Sequence, residues 1–98
     1  MKQYTSKDQT AKLIELGFPK PKSIINEYKV LELNPYAPIE FEYAYSIGEL
    51  IEFLEHRIYR IENDMQWLVD GARVYRADKE LINALFEACV TLNEEGVI

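Results

Sequence analysis

Helix start and stop signals partition this chain more sharply than any other feature, and the stretches between them must fold as something else. Ser6 stands three residues before Gln9, the spacing at which two side chains satisfy the unpaired backbone NH groups of a helix start, with Thr5 as the alternative cap. The helix they open runs to about Leu16, and Leu13, Ile14 and Leu16 are expected to face the core. Gly17 then supplies a left-handed terminator, Phe18 is placed to fold back on Leu13, and Pro19 blocks continuation. Ser46 and Glu49 repeat the start signal ahead of Leu50, Ile51 and Leu54, with Tyr45 and Leu50 in position for a hydrophobic staple. The last helix is expected from Asp78, whose carboxylate suits the positive end of the helix dipole. It buries Leu81, Ile82, Leu85, Phe86, Cys89 and Leu92, ends at Gly96, and lets Val97 return to Leu92.

Between the helices the period changes. Ile39, Phe41, Tyr43 and Tyr45 alternate with Glu40, Glu42 and Ala44, a strand with one apolar and one acidic face, entered through a loop marked by Pro35 and Pro38. Residues 57–76 read as three strands, Arg57 to Glu62, Met65 to Val69 and Ala72 to Arg76, with tight turns at Asn63-Asp64 and Asp70-Gly71. In that register Met65, Trp67 and Val69 share a face with Ala72, Val74 and Arg76 on one side and with Ile58 and Arg60 on the other. Leu54, Ile58, Ile61, Met65 and Leu68 also keep the spacing of a single helix running from Ser46 to Val69. The β-rich runs Ile-Tyr-Arg-Ile, Trp-Leu-Val and Arg-Val-Tyr beside two turn signals favour strands. The expected fold class is therefore α+β. Three helices pack on a small, mainly antiparallel sheet in the order helix, strand, helix, β-meander, helix, within a single domain spanning 1–98, a length sufficient for one core.

Charge is laid out in blocks. The net charge is −6, yet residues 1–29 hold six Lys against Asp8, Glu15 and Glu27, and residues 30–56 hold six Glu with no Lys or Arg. Four Arg return between 57 and 77, and the tail beyond is acidic again. No block has the basic density that phosphate neutralisation requires, which excludes duplex DNA as an expected partner. The composition, 48% hydrophobic and 29% charged, is that of a soluble globular chain. No apolar run suits a signal peptide or approaches the ~18 residues of a membrane span, so a cytoplasmic protein with no membrane association is expected. A lone Cys89 agrees with a reducing compartment.

Four stretches carry a resemblance: Thr5-Ser-Lys-Asp-Gln-Thr-Ala-Lys-Leu-Ile-Glu-Leu-Gly17, Tyr45-Ser-Ile-Gly-Glu-Leu-Ile51, Glu80-Leu-Ile-Asn-Ala-Leu85 and the ending Asn93-Glu-Glu-Gly-Val-Ile98. Together they resemble small uncharacterised proteins of Bacteroides-type bacteria and their phages or mobile elements. The resemblance implies an accessory protein of a mobile element and brings no activity, cofactor or functional residue with it.

Catalytic chemistry finds little footing in these residues. His56 falls near the end of the second helix, where a protonated ring meets the negative dipole end. Cys89 lies on an apolar helix face with no His or acid one turn away to activate it. Glu40 and Glu42 share a strand face, as an acid-base pair or as an ordinary solvated edge. Trp67 and Tyr75 can stack on bases only beside a basic groove, for which Arg57, Arg60, Arg73 and Arg76 are available. Gly48 and Gly71 are isolated and form no phosphate loop. The expected function is non-enzymatic protein interaction without a cofactor or metal. Its contact surface is the acidic stretch carrying Glu32, Tyr36, Glu40 and Glu42, and sheet edges leave homo-oligomerisation open. A weak RNA or single-strand binder using the Arg-bearing meander is the alternative, and a small hydrolase the third.

Overall fold

Ser6 and Gln9 cap each other in the computed structural model, which describes residues 1–29 and 39–98, with side chains described outside 26–29 and 39–41. The Gln9 NH donates to the Ser6 hydroxyl at 3.2 Å and the Ser6 NH donates to the Gln9 side chain at 3.0 Å, opening helix α1 over Lys7–Glu15. At its other end Gly17 adopts φ +94°, and the Phe18 and Gly17 NH groups donate to the Leu13 and Ile14 carbonyls at 3.1 and 3.0 Å. That pattern closes the helix with a left-handed residue and folds Phe18 onto the core. Leu13 is buried, but Ile14, expected in the core, is 43% exposed because α1 rests on the fold through a narrow stripe.

Strand β1, Ser23–Lys29, pairs antiparallel with β2, Ile39–Ala44, as a two-stranded sheet of its own. Helix α2, Ile47–Leu54, follows with Ser46 and Glu49 forming the second reciprocal cap, and Glu55–Arg57 makes one tight helical turn. Strands β3 (Ile58–Asp64), β4 (Gln66–Gly71) and β5 (Tyr75–Asp78) then form an antiparallel meander before helix α3, Leu81–Glu94. The fold is α+β, and residues 58–64 and 66–69 are strand where the single-helix reading, Ser46 to Val69, had placed one helix. The strands divide between two sheets instead of one, and β1 is an element the sequence reading did not contain.

Two features shift the meander's register from the expected one. Met65 forms the tip between β3 and β4 at φ +60°, one residue past the expected Asn63-Asp64 turn, so Asp64 faces Gln66 and Asn63 faces Trp67. A bulge between Ile58 and Arg60 then lets Ile58 and Ile61 both turn toward the core while Arg60 points to the opposite face, opposite Asp70. Arg60 is therefore not a neighbour of Trp67 and Val69, and the three-residue spacing of Ile58 and Ile61 that imitates a helix is the mark of the bulge. Met65 is 99% exposed in a backbone region costly to any residue with a Cβ. Met65→Gly is expected to raise stability by about 1 kcal/mol in urea unfolding, and a fall would mean that the Met65 side chain contributes where none of it is buried.

Helix α3 is the shared wall of the core. It packs on β4 and β5 on one side and on α2 on the other, which buries Leu81, Ile82, Ala84, Leu85, Ala88, Cys89 and Leu92. It starts at Leu81 rather than Asp78, since Asp78 ends β5 and its carboxylate accepts from the Glu80 NH at 2.8 Å and the Asn83 amide at 3.2 Å. Gly96 at φ +73° repeats the left-handed stop, with the Val97 NH donating to the Leu92 carbonyl at 2.8 Å. A buried relay ties the N-terminal segment to Tyr45, between β2 and α2: the Tyr45 NH donates to the Thr5 hydroxyl at 3.0 Å, Thr5 to the Thr10 hydroxyl at 2.7 Å, and Thr10 to the Ser6 carbonyl at 2.7 Å. One proton per hydroxyl fixes that direction.

Candidate functional site: a hairpin and the cleft at its base

The β1–β2 hairpin is anchored at one end. Its last pair, Ser23 and Ala44, sits against the body, where the Glu49 carboxylate gathers the pieces. Glu49 accepts from the Ser23 hydroxyl at 2.6 Å, the Lys22 NH at 3.1 Å, and the Ser46 NH and hydroxyl at 3.2 and 3.3 Å. Tyr45, fully buried, donates its hydroxyl to the Pro19 carbonyl at 2.5 Å. Burial first, and the nearby Glu49 charge second, push the Tyr45 phenol above its ordinary range, so it stays a donor.

Glu49 is a titratable clasp. Burial acts to raise its carboxyl, but the hydrogen bonds from Ser23, Lys22 and Ser46 outweigh burial and hold it below the ordinary 4.5. A depressed folded value contributes stability above the ordinary value, and that stability is lost as pH falls through the depressed one. Thermal melts of the native chain and Glu49→Gln are therefore expected to differ at neutral pH and to converge as the pH drops below 4.5. A gap unchanged by acid would remove the charge from the clasp.

Beyond that base the hairpin exposes apolar surface. Ile24 and Tyr43 face each other across the strands and are 52% and 43% exposed, and Ile25 beside the bulge at Ile24/Asn26 is 39% exposed. The expected apolar and acidic faces of β2 are exchanged at this end: Ala44 is buried on the face of Glu42, and Tyr43 is on the outer one. Glu42 accordingly turns inward to meet the Lys7 ammonium at 3.9 Å with its side chain 25% exposed. Glu40 lies on β2 opposite Tyr28, its side chain outside the described set, and Glu32 and Tyr36 lie outside the described residues.

Beside the clasp, the Gly17–Lys22 segment, α2 and the last residues enclose a cleft of 430 Å³. Phe18 and Phe53 form its wall, with ring centroids 5.3 Å apart and a tilt of 41°, and Phe53 meets Tyr45 edge-on at 5.6 Å. Glu49, Glu52 and Glu55 line the cleft against one basic residue, Lys22. Glu55 holds φ +51° where α2 ends. Sequence reasoning assigned Glu49 a cap alone, and the adjacent Ile24-Ile25 pair was the one available signal for β1.

The other candidates are dispersed. His56 is 86% exposed at its side chain, with the Glu55 carboxylate at 3.9 Å. Cys89 is fully buried, and burial pushes its thiol up to about 12, a protonated and unreactive state. The meander's arginines are largely engaged: Arg57 with Glu55 at 3.4 Å, Arg60 with Asp70 and Glu62 at 3.3 and 3.5 Å, and Arg76 with the Thr91 hydroxyl at 2.7 Å. Trp67 is half-buried and packs against the core, whereas Tyr75 is 56% exposed. Among the described residues no group of His, Cys, Asp and Glu is placed to hold a metal ion, and no helix is long and apolar enough to cross a membrane. No family model, curated protein or solved structure matches the chain.

Proposed function

We propose that this chain is a non-enzymatic, cytoplasmic interaction protein that contacts another protein through the β1–β2 hairpin. The observation that carries the reading is the outward Ile24/Tyr43 pair on a sheet of two strands among the described residues. A two-stranded hairpin is marginal in water, and an added surface over its apolar face, or a strand on its edge, supplies what it lacks. The same hairpin carries Glu40 of the acidic stretch, whereas Glu42 is engaged by Lys7, and the acidic composition of the stretch suits a partner with a basic patch. The resemblance to mobile-element proteins fits an accessory role of this kind.

A photo-crosslinking residue placed at position 24 is expected to join the chain to a defined protein in its host, a second copy included. The same residue at position 62, on the outer face of β3, is expected to join it to none. Ile24→Lys should then abolish the adduct from a crosslinker at position 43 while the unfolding free energy stays within about 0.5 kcal/mol of native, the usual span of surface changes. Equal adducts from positions 24 and 62 would reject the hairpin as the contact.

A further inference from the structure

We infer that the cleft at the hairpin's base is a receptor for an arginine side chain presented by a basic segment of a protein partner, a site separate from the Ile24 surface. The three carboxylates of the cleft differ in what they have left to give. Glu49 is consumed by four hydrogen bonds, two that hold the start of the hairpin and two from the Ser46 cap of α2, and Glu55 pairs with Arg57 at 3.4 Å. Glu52 is exposed, faces the same cleft, and has no hydrogen bond or ion pair among the described residues. It is the free counter-ion.

The wall beside Glu52 selects among cations. Phe18 and Phe53 are half-buried, so their rings are fixed by the core while part of each remains open to the cleft. A planar, weakly hydrated guanidinium stacks on such a surface and keeps its edge for a carboxylate, whereas a compact ammonium loses more hydration and gains less contact. The 430 Å³ falls within the roughly 300–1,000 Å³ of ordinary ligand pockets, room for a guanidinium with its alkyl stem and part of the neighbouring residue. Lys22 leaves the lining net acidic, and the chain's charge of −6 steers a basic segment toward it.

The test uses a fluorescein-labelled peptide of alternating Gly and Arg, followed by anisotropy against the whole chain, with Lys and citrulline counterparts of the same length. Saturable binding is expected for the Arg peptide, weaker binding for Lys, and none for citrulline. Glu52→Gln should weaken the Arg peptide roughly tenfold, the scale of one charge-assisted hydrogen bond. Glu87→Gln, which removes the same charge from an exposed position on α3, should leave it unchanged. Amide shifts of Phe18 and Phe53 should move with the titration. Equal weakening by the two substitutions would show that the peptide senses only net charge and overturns the site. Equal affinity for the Lys peptide overturns the guanidinium assignment, and absence of saturable binding overturns both. None of these outcomes depends on a crosslink at position 24.

Discussion

Replacing Gly71 by Ala is expected to lower stability by about 3 kcal/mol or more, a shift easily read as a displaced urea midpoint. A Cβ at this position overlaps the carbonyl of Arg57 and presses on Ile58 Cδ1 at 3.2 Å. The Arg57 carbonyl is backbone and cannot rotate aside. It also accepts from the Ala72 NH at 3.1 Å, while the Gly71 NH donates to the Val74 carbonyl at 2.9 Å, so movement there disturbs the start of β3 and the β4–β5 connection together. Gly48→Ala provides the contrast, since its Cβ meets only the Ser46 hydroxyl at 3.8 Å and lies within α2. That change should be neutral or stabilising by up to about 1 kcal/mol. If Gly71→Ala unfolds at the native midpoint, β3 and β4 are not held as closely as their contact requires.

Leu85→Ala should cost about 2–5 kcal/mol of a total near 5–15 kcal/mol. Leu85 is fully buried in the middle of α3, and that helix is held by strands on one side and by α2 on the other. Relaxation into the lost volume is therefore blocked from two directions, which places the expected cost above that of a one-sided helix. A melting midpoint indistinguishable from native would take Leu85 out of the core.

Local signals were legible in the sequence because their physics is local. Ser6, Ser46, Gly17 and Gly96 act within a few residues of where they stand, and all four do what their spacing implies. The β-rich meander was legible as strands, but its register was not. Register depends on the Ile58/Arg60 bulge and on Met65 taking the left-handed tip, and neither residue type signals such a place. Strand β1 was missed because Ser-Ile-Ile-Asn-Glu-Tyr-Lys has no alternation, its bulge interrupting the period, and only pairing with β2 defines it. The faces of β2 were exchanged at residues 42–44 for a related reason: alternation tells which residues share a side, while the body's position decides which side is covered. Gly71 was read as a turn former, whereas its role is close approach of two backbones. Of the candidate site, the acidic side chains were visible, but the aromatic wall joins Phe18 and Phe53 from segments that only the fold brings together.

The place of α3 in the chain has a consequence for how the protein is made. Synthesis delivers the meander and α2 first, and the helix that fills the space between them last. Until Leu81 to Leu92 emerge, Val69, Val74, Leu50 and Leu54 lack the helix that packs on both their elements, and the nascent chain carries an apolar sheet face and an apolar helix face without it. Folding of the core is consequently deferred until the closing helix is free, and a ribosome paused before it holds a sticky intermediate suited to chaperone capture.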